Sequence, residues 1–178
     1  MNKKGISWVI IAVVIIAVVV VGGVAYWAMT NTGDNEGNGD GNGGGETPDI
    51  AGATSLKFDV SANIEGVQED YSFLAKNLGT SEVMIRVNQV DAQGMEFTYI
   101  LNAADQEVWI YYDGAWTDYS DTFSVYWDTW NPALEAYEDA LGDWTGTGNY
   151  EYTVGNDSFI ISGIAVNPTL DDSLFSPD

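Results

Sequence analysis

The chain has 178 residues, a formal net charge of −22, and neither cysteine nor histidine. This excludes disulfides, thiol catalysis, a cysteine-borne lipid anchor and cysteine-based zinc sites, and it removes the commonest general base and transition-metal ligand. All 27 acidic residues follow the first apolar run, where the only basic residues are Lys57, Lys76 and Arg86. Such a surface repels nucleic acid and anionic lipid headgroups. It reads first as a solubility adaptation to salt or an acidic exterior, with cation binding as the sharper alternative.

Residues 1–29 open with Lys3 and Lys4, followed by the uncharged run ISWVIIAVVIIAVVVVGGVAYWAM from Ile6 to Met29. As a helix it is long enough to span about 30 Å of hydrocarbon. Trp8 near one end, and Tyr26 and Trp27 at the other, sit where interfacial aromatics belong. The two lysines place the N-terminus in the cytoplasm and the rest of the chain outside. The expectation is an uncleaved single-pass anchor in the cell membrane. A cleaved signal peptide would have a shorter apolar region and a small-residue cleavage site, and GVAYWA is a poor one. A pilin-like subunit processed after Lys-Lys-Gly is a weaker alternative, because the apolar run meets glycines rather than continuing as a helical stem.

Residues 30–49 include TNTGDNEGNGDGNGGGETP, which offers nothing apolar to bury and reads as a flexible, solvated linker. Asp34, Glu36, Asn38 and Gly39 faintly echo a calcium loop, but Gly45 stands where the bidentate acid is required. No metal ligand set and no cofactor is therefore expected.

Residues 50–178 form the one predicted folded domain. LKFDVSANI alternates, with Leu56, Phe58, Val60, Ala62 and Ile64 on one side: a strand with one wet face. YSFLAKNL and EVMIRVNQV then form a hairpin in which Ala75 meets Ile85 and Phe73 meets Val87. In the next hairpin, MEFTYILN and EVWIYY, pairing Asn102 with Glu107 sets Phe97, Tyr99, Leu101, Val108, Ile110 and Tyr112 on one apolar face. Arg86 then falls on the wet face, where an ion pair with a nearby carboxylate is expected. Trp109 and Tyr111 also point away from the core, and an insert or an N-terminal strand is expected to cover them.

DGAWTDYSD reads as a bend. Beyond it, Phe123, Tyr126, Trp127 and Trp130 recur at helical spacing. Asn131 reads as a cap and Pro132 as the first turn of a second helix, which directs Leu134, Tyr137 and Leu141 inward and stops at Gly142. NYEYTV and SFIISGIAV return to strands around GND, where Asn156 begins a glycosylation sequon. Strands, a helical insert and strands again predict an α+β domain: a curved antiparallel sheet with two helices over one face.

The run FLAKN…EVMIRVNQVDAQGMEFTYILNAADQEVWIYYDGAW resembles the middle of LolA-like proteins, the lipoprotein-carrier superfamily. The ending ISGIAVNPTLDDSLFSPD resembles that family's C-terminal signature. The resemblance covers most of residues 55–178 and implies a half-open barrel whose concave face, covered by helices, holds acyl chains without catalysis. Its carriers are soluble or lipid-anchored, whereas a tethered, cysteine-free, very acidic form looks archaeal. A lipid or an acylated protein is then the expected ligand, and Phe97, Tyr99, Ile110, Tyr112, Phe123, Tyr126, Trp127 and Trp130 are the residues expected to line the cavity. The same residues serve equally well as a filled core. In that case the domain is a sensor, or it binds an envelope protein or glycan through its outer face. Adjacent acids such as Glu138–Asp139 and Asp171–Asp172 do not supply two carboxylates across a cleft, so no enzymatic activity is expected.

Overall fold

The computed structural model describes residues 48–177. The expected anchor Ile6–Met29 and the linker up to residue 47 lie outside the described residues. Among the described residues, no helix is long and apolar enough to cross a membrane.

Eight strands form one antiparallel sheet: β1 (Ser55–Ile64), β2 (Val67–Lys76), β3 (Met84–Val90), β4 (Glu96–Asn102), β5 (Glu107–Tyr112), β6 (Ala115–Asp118), β7 (Tyr150–Val154) and β8 (Asp157–Val166). Their spatial order is β6-β5-β4-β3-β2-β1-β8-β7, so the first strand lies inside the sheet and the C-terminal hairpin β7–β8 returns to flank it. The sheet is open, with β6 and β7 at its edges, and one helix, α1 (Phe123–Leu141), covers one face. This is the coarse α+β architecture expected from the sequence.

Alternation decides the faces. Leu56, Phe58, Val60 and Ala62 are at most 1% exposed, whereas Lys57 between them is open to solvent. The expected registers hold: Phe73 pairs with Val87, Ala75 with Ile85, and Asn102 with Glu107. A one-residue slip in either hairpin would move every apolar side chain to the wet face, which is why hydrophobic pattern alone specifies them.

Two local predictions are corrected. The stretch after Tyr112 is a hairpin rather than a bend. Asp113 and Gly114 both have positive φ (53° and 80°), the pattern of a two-residue hairpin turn, and β6 folds back to pair Tyr111 with Trp116. The helical insert is one helix, not two, because it runs unbroken through Pro132. The Asn131 amide donates to Glu135 Oε1, one turn on, at 2.7 Å and caps nothing. Gly142 does end the helix, with an ordinary right-handed φ of −55°.

Helix α1 presses Trp130, Leu134, Tyr137 and Leu141 against the sheet, each at most 2% exposed. Tyr137 meets Phe58 and Phe73 edge-on, with ring centroids 5.7 and 5.4 Å away. Trp130 sits among Tyr71, Phe73 and Tyr99 at 6.1, 6.1 and 5.0 Å. Edge-to-face contacts of this kind add to the burial free energy of each ring.

The opposite face is also partly covered. Beyond β8 the chain crosses back and a short 3₁₀ turn, Asp172–Phe175, lies on the sheet. Phe175 is buried against Leu74 and Ile100, with Met84, Trp109, Trp116, Leu170 and Leu174 around them. The cover expected over Trp109 is thus present, but the C-terminal tail supplies it. Tyr111 stays 39% exposed, with its ring 5.3 Å from Trp116.

Candidate functional site

The eight residues expected to line a cavity do not behave alike. Phe97, Tyr99, Ile110, Tyr126 and Trp130 are 1–3% exposed and belong to one continuous core. Burial raises the Tyr126 phenol to about 12, with the neighbouring Tyr119 adding to the effect. Burial pushes Tyr99 and Tyr137 up as well, so both stay neutral. Phe123 and Trp127 are half-buried and stack on each other at 5.4 Å near the start of α1. Tyr112, predicted to face inward, is 37% exposed. It ends β5 beside the Asp113–Gly114 turn, paired with Ala115 of β6 but beyond the last pair with β4; its ring stacks on Phe97 at 4.7 Å and its hydroxyl donates to Met95 Sδ at 3.7 Å. Val125, on the outer side of α1, is 50% exposed.

The face opposite the helix carries an open groove of about 430 Å³ across β8, β1, β2 and β3, with a row of polar groups among apolar ones. Asp59, Ser61, Asp70, Ser72, Asn88 and Ser162 supply its polar lining. Asp59 pairs with Ser72 on one side and Ser162 on the other, and Ser72 pairs with Asn88, so one polar row runs across four strands. The register of β8 shifts beside Asp59. Gly163 takes this bulge at φ 61°, a backbone conformation that favours glycine, and a Cβ there would also push the Asp59 carboxylate 2.9 Å away aside.

Among the described residues Arg86 makes no ion pair; backbone stands where a carboxylate partner was predicted. Its Nη1 donates to the Leu174 carbonyl at 3.0 Å and its Nε to Asn88 Oδ1 at 3.3 Å. Once the tail occupies this face, the nearest acceptor is the tail's own main chain. Lys76 contributes the one ion pair among the described residues, with Asp172, and its Nζ lies 4.7 Å from the Phe175 ring centre. Asp171 caps the 3₁₀ turn by accepting from Ser173 N at 2.9 Å, and these hydrogen bonds hold its carboxyl below the usual range.

Sequence reasoning missed a second cluster, on the helix side of the sheet. Glu69, Gln89 and Asp91 are 2%, 1% and 5% exposed. Tyr71, opposite Gln89, donates its hydroxyl to Glu69. Burial raises the Glu69 carboxyl, and the Asp91 charge adds to this. The signal was present only as three polar letters, at inward positions of β2 and β3 and just past the end of β3, which look like an exposed strand end.

Comparison with protein-family models, with curated proteins and with solved structures finds no match for this chain.

Proposed function

We propose that the chain is a membrane-tethered, extracytoplasmic, non-enzymatic recognition domain, a sensor or interaction module. Its half-barrel is filled by its own helix, and it meets an envelope protein or glycan through the groove of the outer face. The observation that carries this reading is the seating of Trp130 and Tyr137, each 2% exposed, among the rings of β1, β2 and β4. A packed interior of this kind leaves recognition to the surface. The groove supports it by presenting carboxylate, hydroxyl and amide groups in one row, which suits a partner rich in hydrogen-bond donors.

A second reading, an acyl-chain carrier for which α1 is a lid, is favoured by one observation. The start of the helix leaves Phe123 and Trp127 half-buried and Val125 exposed, an apolar lip where a lid would begin to lift. The LolA-like resemblance supports this reading and gives the wider family expectation for both.

One experiment separates them. A photo-crosslinking residue at Ser72, in native membranes, is expected to capture a discrete partner, while the same residue at Tyr111 captures none. Lipid copurifying in defined stoichiometry, with saturable uptake of a fluorescent acyl probe, would overturn the filled-barrel reading in favour of the carrier.

A further inference from the structure

The buried polar cluster holds two carboxyls, and no basic residue among the described ones pairs with either. The register of β2 and β3 pairs Asp70 with Val90 as its last step. Just beyond that step Glu69 and Asp91 are both buried, close enough for the Asp91 charge to act on the Glu69 carboxyl. Like charges so placed repel. Asp91 is held in place by its own loop: Oδ1 accepts from Gln93 N at 2.9 Å and from Met95 N at 2.8 Å. That fixes the carboxylate and leaves Oδ2 over. The Tyr71 hydroxyl, likewise, occupies only Oε2 of Glu69.

The remaining atoms are buried without a hydrogen-bond partner among the described residues: Glu69 Oε1, Asp91 Oδ2, both amide atoms of Gln89, and Trp130 Nε1. The Gln89 amide lies beside the Glu69 carboxyl without completing a bond to it. Leaving such an atom unsatisfied is costly, and more so for a charged group. Three basic residues occur among the described ones. Lys57 is on the solvent side of β1, and Lys76 and Arg86 are engaged with the tail.

We propose that Glu69, Asp91 and the Gln89 carbonyl form a site for a hard, oxygen-preferring divalent cation, of which calcium is the type. The donor set is all oxygen, two of the donors are anionic, and the Tyr71 oxygen adjoins them; a dication balances the pair. No group of three or more acidic, cysteine or histidine residues with metal-site geometry occurs among the described residues. With only two carboxylates the site is weak, in the range of extracellular calcium modules, where dissociation constants are about 10⁻⁴–10⁻³ M. This site is on the opposite side of the sheet from the groove and does not depend on what the groove binds.

The test uses the full chain in detergent at neutral pH, stripped with a chelator. Millimolar calcium is expected to raise the unfolding temperature by several degrees more than magnesium or sodium chloride of matched ionic strength. In Glu69→Gln/Asp91→Asn, which keeps the shapes and the Asp91 loop bonds, the calcium-specific part is expected to vanish, and stability in chelator to match or exceed that of the unsubstituted chain. Terbium supplies a second readout. Its emission, excited through tryptophan, should saturate, fall on adding calcium, and weaken at least twofold in Trp130→Phe, because Trp130 lies 6.1 Å from Tyr71. A calcium shift of equal size in the double variant would assign the effect to diffuse counterions on the acidic surface and overturn the site. So would the absence of any calcium-specific shift, or terbium emission indifferent to calcium.

Discussion

The two faces of the sheet are covered by different means. On one, a 19-residue helix buries large aromatic rings and contributes through area. On the other, a few tail residues are pinned by Lys76, by Arg86 and by one buried ring, Phe175. The acid–base chemistry of the two covers runs in opposite directions. On α1, burial and the neighbouring Glu135 and Asp139 raise the Glu138 carboxyl to about 7 from an ordinary 4.5. The folded state therefore keeps a proton that the unfolded chain loses, so this contribution to stability is full below pH 4.5 and is lost as the pH rises through 7. In the tail, Asp171 is held below its ordinary 3.8 by the Ser173 hydrogen bonds. Its contribution is present above that value and is lost as the pH falls through the folded pKa. One cover loosens toward alkali and the other toward acid.

The largest expected effect comes from emptying the helix face. Trp130→Ala should cost about 3–5 kcal/mol, the range for aromatic truncation in a packed core, measured by denaturant unfolding. A loss below about 1 kcal/mol would mean that the helix is not seated as described and would favour a lid. Next, Phe175→Ala should cost about 1–3 kcal/mol, since this satellite cluster is smaller. It should also expose Leu74 and Ile100 to a hydrophobic dye while leaving the near-ultraviolet signal of the main core unchanged. Below that, Lys76→Ala and Arg86→Ala should each cost about 0.5–1.5 kcal/mol. The Lys76 effect should shrink in high salt and the Arg86 effect should not, because a carbonyl rather than a charge accepts from Arg86. Smallest in size but sharpest in sign, Glu138→Gln should flatten the decline of unfolding temperature between about pH 4.5 and 7, a change of a few degrees. If the decline is unaltered, its origin lies elsewhere in the acidic chain.

The sheet was legible because its information is local and two-periodic. Leu56 to Ile64 announces its faces by alternation, and each hairpin has one register that aligns them. The helix was legible in its face but not in its extent. Asn131–Pro132 carries the same letters at a helix start and inside a helix, and only packing on both sides tells them apart. At Asp113–Gly114 the hairpin signal was available, but β6 is only four residues long and three of them are exposed, so it carries no alternation to read. The tail cover was hidden because its anchoring groups, Lys76 and Arg86, lie about 90 residues away in sequence from what they hold. The acidic cluster was hidden for another reason: Glu69 sits in VQED, a stretch whose composition belongs on a surface and whose burial arises only from the returning helix.

Asn167 follows β8 and faces the start of β1. Its side-chain oxygen accepts from Thr54 N at 2.7 Å and Thr54 Oγ1 at 3.0 Å, 113 residues away along the chain, and its own backbone N donates to Ser55 O. The inner strand β1 therefore has its full complement of neighbours only after β8, about 100 residues further along the chain, has been made. A ribosome or a translocation pore that still holds β8 leaves one flank of β1 unpaired, and until β8 is released a nascent copy is exposed there to a chaperone, a protease or a second copy of itself.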